Sequence, residues 1–297
     1  AHSIVTSHDV PLSDVAQGEV FTKHVDQPDS AYAEAAGLNW LGAASPQVVK
    51  VVAVSDHTIS TTKITPKRPT RAAAEAAGVE LARIHLAGAP AFGSPPLGWP
   101  GPNFIGTQIQ ACEPDPDWAR FYTTQRVLPF YRKAMDAGNI HDPERTVERA
   151  CELIGAATWE SAHVAPGVAG RIHGDLWSGN LLYGRPVSKN VLTETVLDDA
   201  STDNGGAANG GVEPFFIDPA AHGGHPETDL AMLALFGAPF IEDVFEGYQS
   251  VRPLADDWQD FIPVHQLHPL AVHAFTHGPS YGHELLRCAT DVVQLLG

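Results

Sequence analysis

A polar motif between two apolar segments is the feature that most limits the folds open to this chain. Residues 171–184 read RIHGDLWSGNLLYG and set a histidine, an aspartate and an asparagine beside runs typical of a protein core. Before it, EVFTKHV (19–25) alternates like a β-strand, and VVKVVAVSDHTISTTKI (48–64) contains two β-branched runs split by a polar turn, which predicts a hairpin. From residue 65 onward the patterns are mainly helical. This order predicts an α+β fold of two lobes, a small β-rich N-lobe (1–64) and a larger, mainly helical C-lobe (65–297).

Local signals predict several element boundaries in the C-lobe. Thr70 precedes an Ala-rich apolar pattern, which indicates an N-capped helix that closes at Gly88. The Pro/Gly-rich stretch 89–114 predicts a loop, and the Asp-Pro pairs that begin at 115 and 142 each predict the start of a helix. Residues 184–213 are polar and become Gly-rich, which predicts a hairpin with an extended tip.

Charge and cysteine content narrow the classes of partner and the compartment. The net charge of −17 argues against nucleic acid or an anionic membrane as the main partner, because both require clustered Lys and Arg. It permits a phosphate ligand, since a bound divalent cation reverses the local field. Three widely spaced cysteines form neither a disulfide framework nor a zinc motif, so we expect a reducing, cytoplasmic location. No signal peptide or membrane-spanning run is visible, and we expect a monomer.

The spacing within the polar motif suggests phosphoryl transfer. Asp175 and Asn180 are separated by four residues, as in the catalytic loop of protein kinases. In such a loop the aspartate positions the attacking hydroxyl and accepts its proton, while the asparagine oxygen helps to hold Mg²⁺. A second metal-binding carboxylate is then required at a strand end. Asp218 follows the apolar run PFFI, and a hairpin returning from Tyr183 would bring it beside Asn180.

Two upstream residues extend this pattern, and one expected feature is missing. Lys23 on a strand and Glu34 on the next helix predict the lysine–glutamate pair of kinases, although an exposed lysine and a solvated glutamate are the alternative. No glycine-rich phosphate loop precedes Lys23. Either backbone amides of a turn around Thr6, Ser7 and His8 replace it, or the loop lies before Ala1. No GxxxxGK[ST] motif occurs, which excludes a P-loop enzyme.

The segments HGDLWSGN (173–180) and IDPAAHGGHPETDLAM (217–232) resemble the fructosamine kinase (ketosamine-3-kinase) family, a branch of the protein-kinase-like fold shared with aminoglycoside and choline phosphotransferases. The resemblance continues through FTK, LARIHLAGA, FIGT and HQLHPL. It implies ATP and Mg²⁺ as cofactors, with Asp175 as the catalytic base, Asn180 and Asp218 as metal ligands, Lys23 on the ATP phosphates and Glu34 orienting Lys23. It also implies an adenine-binding hinge at Thr62, Lys63 and Ile64, and Trp177 as a wall of the sugar site.

This chain departs from the family pattern at three places. The hinge reads STTKI where an acidic, apolar sequence is expected, the segment after FIGT has Gln108 to Ala111 without the usual asparagine, and the insert between Tyr183 and Phe215 is unusually long.

Other polar residues admit structural explanations. Glu227 and Asp229 are interpreted as a helix cap or as acceptors for backbone amides of the catalytic loop. His173, His222 and His225 are predicted to lie at the mouth of the substrate site. Histidines also recur at 268, 273, 277 and 283, but without an H-E-x-x-H motif a zinc site is disfavoured.

The predicted activity is transfer of the γ-phosphoryl group of ATP to a hydroxyl of a ketosamine, a repair reaction on glycated amines. We expect the acceptor site to combine a flat apolar wall for the sugar with carboxylates for the amine. Two alternatives remain open, an aminoglycoside or amino-alcohol phosphotransferase of the same fold and a nucleotide-binding pseudokinase. The sequence specifies neither the ketosamine, nor the hydroxyl, nor whether the amine is free or protein-bound.

Overall fold

The computed structural model describes residues 19–156, 168–187 and 211–297. The strands are β1 Val20–His24, β2 Val51–Ser55, β3 Thr58–Thr62, β4 Ile64–Pro66, β5 Asn103–Ile105, β6 Gln108–Gln110, β7 Gly170–Ile172, β8 Leu181–Pro186, β9 Glu213–Phe216 and β10 His222–Gly224. The α-helices are α1 Pro28–Gly42, α2 Arg71–Leu86, α3 Trp118–Phe121, α4 Leu128–Asp136, α5 Thr146–Ala156, α6 Glu227–Phe236, α7 Ile241–Val251, α8 Ile262–His277 and α9 Pro279–Leu296.

The first of these strands form an antiparallel sheet in the order β1-β3-β2, with α1 packed against it. The predicted hairpin is present as β2 and β3, and Lys23 of β1 lies opposite Ile59 of β3. Ala31, Leu38 and Leu41 on α1 are buried. This packing fixes α1 relative to the strand that carries Lys23, which is what a contact between Lys23 and a residue of α1 requires.

A second sheet, in the order β4-β8-β9, joins the N-terminal part of the chain to the polar motif at 171–184. β4 begins at Ile64 and pairs with β8, which begins within the motif at Leu181, and β8 pairs with β9 in the register Leu181 to Phe216. The predicted hairpin between Tyr183 and Phe215 is therefore present, while its predicted tip lies at 188–210, outside the described residues. The proposed lobe boundary between 64 and 65 stays a prediction.

Helices form most of the remainder of the described chain. α8 packs on α4, α6 and α9, and α9 also packs on α5. α2 crosses α7 at very short range, because a Cβ on Gly78 would lie only 1.9 Å from the carbonyl oxygen of Val244. Glycine on α2 therefore permits an approach that any side chain would prevent. Among the described residues, no helix is both long and apolar enough to cross a membrane.

The structure confirms one predicted helix start and contradicts another. Thr70 caps α2 as predicted, its hydroxyl oxygen accepting from the Ala73 amide at 3.1 Å. The predicted helix start at the 115–116 pair is wrong: Asp117 caps α3, because the Asp115 carboxylate instead accepts from the Asp117 amide and the Arg120 guanidinium.

The helix predicted to start at the second Asp-Pro pair starts a few residues later, and part of the predicted loop forms strands. α5 begins at Thr146, although Asp142 does accept from the amides of Thr146 and Val147 at 2.9 and 3.1 Å. The stretch 89–114 is not entirely loop, because β5 and β6 pair there as a short hairpin. The turn between them contributes to the site described next.

Candidate active site

The loop that carries Asp175 is held by a carboxylate from another element. His173 and Gly174, which follow β7, donate their backbone N–H groups to the carboxylate of Asp229 at 2.7 and 2.9 Å. Asp229 lies in the first turn of α6 and is 1% exposed. Burial alone would raise the pKa of Asp229, but hydrogen bonds from His85 and the Gly174 amide, with nearby histidines, lower it below its usual value. Asp229 therefore positions the loop, as the sequence indicated.

A buried relay of hydrogen bonds supports Asp229 in turn. The His85 Nε2–H donates to Asp229 at 3.0 Å, the Tyr248 hydroxyl donates to His85 Nδ1 at 2.8 Å, and Arg252 donates to the Tyr248 oxygen at 3.2 Å. Burial lowers the pKa of His85, so the ring is neutral and its tautomer is set by its two partners. The sequence did not single out His85, because a histidine on the apolar face of a helix carries no distinctive signal.

Gly174 gives the loop the turn that exposes Asp175. Its φ is +80°, a conformation that residues with a side chain rarely adopt, and a Cβ there would lie 2.3 Å from the carbonyl oxygen of Ala220. The glycine between His173 and Asp175 is thus required on both conformational and steric grounds.

Asp175, Asn180 and Asp218 converge at the end of the β8–β9 hairpin. The Asn180 side-chain amide donates to the backbone carbonyl of Asp175 at 2.8 Å and approaches its carboxylate at 3.3 Å. The Ile217 amide donates to the Asn180 carbonyl at 3.1 Å, which brings Asp218 next to Asn180 as predicted. Burial, followed by the negative charge of Asp218, raises the pKa of Asp175 to about 7. Asp218 itself adopts a left-handed backbone with φ of +51°, a strained conformation for a non-glycine residue.

Lys23 joins the N-terminal sheet to this cluster. Its Nζ lies 2.7 Å from Glu34 Oε2 and 3.2 Å from Asp218 Oδ2. Burial alone would lower the pKa of Lys23, but the two carboxylates together raise it above its usual value, so the ammonium stays charged. The predicted lysine–glutamate contact is present, and the lysine is not the exposed side chain of the alternative interpretation.

A cavity of about 420 Å³ opens beside these charged groups. Its walls come from the β1–α1 region, the β5–β6 hairpin, the loop that carries Asp175 and residues 218–220. The polar side chains among its lining residues are Lys23, His24, Asp26, Gln27, Ser30, Glu34, Asn103, Thr107, Asp175, Asn180 and Asp218. We call it the charged cavity.

A second cavity of about 430 Å³ lies on the other side of Asp175 and Trp177, which line both. Its other walls are the β5–β6 turn and the region where α8 meets α9, and we call it the ring cavity. Trp177 is 43% exposed, which fits the predicted wall of a cleft better than a core position. The remaining lining residues are Ile105, Gly106, Thr107, Phe236, Val272, His273, Thr276, His277 and Tyr281.

The predicted adenine contacts at the hinge are not supported for two of the three residues. The Thr62 and Lys63 amides already donate to the carbonyls of Lys50 and Glu19, both at 2.9 Å, and the Lys63 carbonyl accepts from Val187. Ile64 is in β4. Among the described residues, Thr62, Lys63 and Ile64 line neither cavity, because their backbone continues the two sheets.

The prediction that His173, His222 and His225 lie at a substrate mouth is wrong. All three are at most 3% exposed and line neither cavity. The His173 ring donates from Nε2 to the Ile217 carbonyl at 2.9 Å, and the His222 ring donates from Nδ1 to Ala220 at 2.7 Å. Burial lowers the pKa of His222 to about 3. Their rings fill the interior behind the loop.

The later histidines divide between core and cavity. His268 is buried, whereas His273 and His277 line the ring cavity. Within the described part of the chain, these three do not come together with His283 as a set of metal ligands. A different trio, His225, Glu227 and His265, has ligand atoms within 4.8 Å of one another, but it is buried and lines neither cavity. Burial raises the pKa of Glu227 to about 7.

Comparison with known proteins gives this geometry a family. The family model described as fructosamine kinase matches residues 13–294. The chain belongs to the fructosamine kinase family. A protein of Enterococcus faecium named a probable ketoamine kinase is 28% identical over 188 residues, which are 62% of this chain and 56% of that protein. The chain spans about half the length of the curated relatives it matches.

Solved structures extend the likeness over nearly the whole chain. The crystal structure of a Thermobifida fusca protein named as a fructosamine-3-kinase gives a TM-score of 0.75 at 37% identity, covering 93% of this chain and 85% of that one. A Haemophilus somnus structure with the same name gives 0.68 at 18% identity, covering 92% and 82%, and supports the fold alone. The predicted two-lobed, protein-kinase-like fold of this fructosamine kinase family member is confirmed.

The charged cavity has the donor set that Mg²⁺ prefers. Asp218 supplies carboxylate oxygens, and because the Asn180 side-chain nitrogen donates to the Asp175 carbonyl, its amide oxygen is the atom available to a cation. The negative charge of Asp218 contributes to the raised pKa of Asp175, and Lys23 is the cation that Asp218 contacts at 3.2 Å. A divalent cation would relieve the same repulsion, so these residues fit the metal expected in this family.

Proposed function

We propose that this chain transfers the γ-phosphoryl group of ATP to a sugar hydroxyl of a ketosamine. The observation that carries the proposal is that Asp175 lines both cavities, with charged groups on one side and rings on the other. A base that serves two substrates must lie where their binding sites meet. The names of the relatives, ketoamine kinase and fructosamine-3-kinase, support the choice of acceptor.

In the charged cavity the proposed roles follow from charge and contact. Lys23, kept charged by Glu34 and Asp218, would bind the phosphates of ATP, while Glu34 orients it. Asn180 and Asp218 would hold Mg²⁺, which neutralises charge on the transferred phosphate when bound. Asp175 would orient the acceptor hydroxyl and take its proton. Because Asp229 fixes the two amides before it, Asp175 keeps its orientation without a contact of its own to Asp229.

Trp177 would form the wall of the acceptor site. It borders both cavities and remains partly exposed, so a sugar beside Asp175 can pack on its ring. The tight turn Leu176–Gly179 beside Asp175 favours a small linear sugar over a multi-ring aminoglycoside. A cytoplasmic site of action agrees with the absence of a disulfide framework in the sequence.

A panel of acceptors tests the proposal directly. The protein would be incubated with Mg–ATP and, separately, with a ribulosamine, a fructosamine, an erythrulosamine, kanamycin and a simple amino alcohol, and phosphorylated product would be quantified by mass spectrometry. We expect phosphate on at least one ketosamine with kcat/KM well above that for kanamycin and the amino alcohol. Turnover of kanamycin without any ketosamine would favour an aminoglycoside phosphotransferase, and nucleotide binding without turnover of any acceptor would favour a pseudokinase.

A further inference from the structure

The ring cavity contains four aromatic rings in contact. Three of them, His273, His277 and Tyr281, recur every four residues from the end of α8 into α9, and the fourth is Phe236 at the end of α6. We call these four residues the ring cluster. His273 and His277 lie one turn apart on α8, and α9 begins after a break at Gly278, so Tyr281 reaches the same cavity from the next helix.

The rings are close enough to act as one surface. His273 and His277 stack with centroids 4.9 Å apart and an interplanar angle of 18°. Tyr281 lies 5.0 Å from His273 and 5.8 Å from His277, and Phe236 lies 4.8 Å from His273. Such distances are typical of packed aromatic pairs, and a set of rings around a cavity is a known way to bind an alkylammonium.

Hydrogen bonds at Nδ1 orient both histidine rings. The His273 Nδ1–H donates to the Pro269 carbonyl at 2.8 Å. The Thr276 hydroxyl donates to the Val272 carbonyl, so its oxygen accepts from the His277 Nδ1–H at 2.8 Å. Burial lowers the pKa of His273, so this ring is neutral near pH 7. In a neutral ring whose Nδ1 carries the proton, Nε2 accepts a hydrogen bond, so it binds donors such as an ammonium N–H or a hydroxyl.

The sequence predicted carboxylates as partners of the amine, but few carboxylates line the ring cavity. Among the described residues that line the ring cavity, Asp175 alone is acidic, and it is assigned to the hydroxyl. The aromatic faces of the ring cluster and the Nε2 atom of His273 are therefore the groups available to contact a cation. We propose that the ring cluster binds the ammonium group of the acceptor, so that this enzyme recognises its amine through aromatic faces and the Nε2 atom of His273. This inference rests on the proposed function, because it concerns the acceptor of the same reaction.

A matched pair of substrates isolates the effect of the positive charge on the acceptor nitrogen. One is 1-deoxy-1-(propylamino)fructose, whose nitrogen is cationic near neutral pH, and the other is 1-O-propylfructose, in which a neutral oxygen replaces that nitrogen. Their sugar and propyl groups are the same. With Mg–ATP in excess, we expect kcat/KM for the amine to exceed that for the ether by roughly tenfold, the size of a well-formed cation–π contact.

Variants of the ring cluster then show which residues cause the preference for the amine over the ether. Tyr281→Leu and His277→Leu remove a ring while keeping an apolar side chain, and each should reduce the amine-to-ether ratio to about threefold or less. Tyr281→Phe keeps the ring face and should retain most of the ratio. His283→Leu is the matched control, because His283 is on the same helix, is exposed and does not line the cavity. Thermal unfolding of each variant identifies any loss of ratio caused by misfolding, and Tyr281→Phe keeps the comparison valid if a leucine variant unfolds.

Calorimetric binding of the same two compounds, without nucleotide, separates this inference from the proposed function. Turnover of both compounds at equal kcat/KM, or a ratio that survives in Tyr281→Leu and His277→Leu, overturns the role of the ring cluster and leaves the kinase assignment in place. Selective binding of the amine that depends on Tyr281, without phosphorylation of either compound, supports the ring cluster and contradicts the proposed function. Absence of both binding and turnover contradicts both.

Discussion

The two cavities that meet at Asp175 are of nearly equal size but of opposite character. The charged cavity is lined by an ion-paired lysine, four acidic side chains and two asparagines, whereas the ring cavity is lined mainly by aromatic and apolar side chains. Charge on one side suits a polyphosphate and its metal, since electrostatic stabilisation dominates phosphoryl transfer. Rings on the other side suit a small organic acceptor. The difference predicts that binding of the acceptor and of the nucleotide use separate surfaces, which share Gly106, Thr107, Asp175 and Trp177.

The largest effect should follow from removing charge in the charged cavity. We expect Asp218→Ala to lower kcat by about 10³-fold or more and to abolish Mg²⁺-dependent nucleotide binding, because it removes both a metal ligand and a partner of Lys23. Steady-state kinetics and calorimetry with Mg–ATP check this. Asn180→Ala should be milder and partly rescued by higher Mg²⁺. Normal Mg–ATP binding and turnover by Asp218→Ala would show that the metal ligands are elsewhere.

A smaller effect is expected from the residue that holds the loop shared by both cavities. In Asp229→Asn one acceptor oxygen becomes a donor, so a buried amide of His173 or Gly174 loses its partner. We expect kcat to fall about 10- to 100-fold with KM for ATP nearly unchanged, and unfolding free energy to fall by about 1–3 kcal/mol.

The control for that variant is Glu284→Gln, which disrupts an exposed pair with Arg287 and should change neither quantity measurably. If KM for ATP rose in Asp229→Asn while kcat held, Asp229 would act on the charged cavity rather than on the loop.

Substitution of Trp177 tests whether binding of the acceptor can be weakened without weakening binding of ATP. Trp177→Ala should lower kcat/KM for the acceptor by about tenfold or more, a stacking loss of about 1–2 kcal/mol, while affinity for ATP holds. Trp177→Phe should recover part of the loss, because it restores a ring face. Equal losses for ATP and acceptor would mean that the two cavities are not separate in function.

The smallest effect concerns the core behind both cavities and depends on pH. The pKa of His222 is about 3 in the folded protein because of burial, and about 6.5 when unfolded, so the unfolded state binds the extra proton between these values. Folding stability from this residue is therefore present above pH 6.5 and is lost as the pH falls. The stability advantage of the wild type over His222→Asn should shrink by about 1.4 kcal/mol per pH unit below 6.5. Denaturant unfolding at pH 7.5, 6 and 5 measures it, and a constant difference would contradict a buried, neutral His222.

Sequence reasoning succeeded where a residue's role depends on local spacing. Asp175, Asn180 and Asp218 are brought together by one loop and one hairpin, both visible in the order of turns and apolar runs. Lys23 and Glu34 followed from adjacent elements. The roles of these residues in catalysis stay predictions until they are tested, but their proximity is a property of the fold.

Sequence reasoning failed where the role of a residue depends on packing between distant elements. The polar character of His222 and His225 suggested a substrate mouth, yet neighbouring rings and backbone carbonyls enclose them. His85 gave no signal because its partner, Asp229, is 144 residues away. The hinge prediction overlooked that backbone amides of Thr62 and Lys63 are used by neighbouring strands, which becomes visible only once the strand register is known.

The central claim, that Asp175 is the base at the junction of two independent sites, is tested most directly by Asp175→Asn. This variant keeps the size of the side chain and removes the proton acceptor. Calorimetric affinities for Mg–ATP and for the ketosamine should stay within about threefold of wild type, while kcat should fall by about 10²–10⁴-fold, the usual range for loss of a general base. Turnover near the wild-type rate, with both ligands bound, would contradict the account.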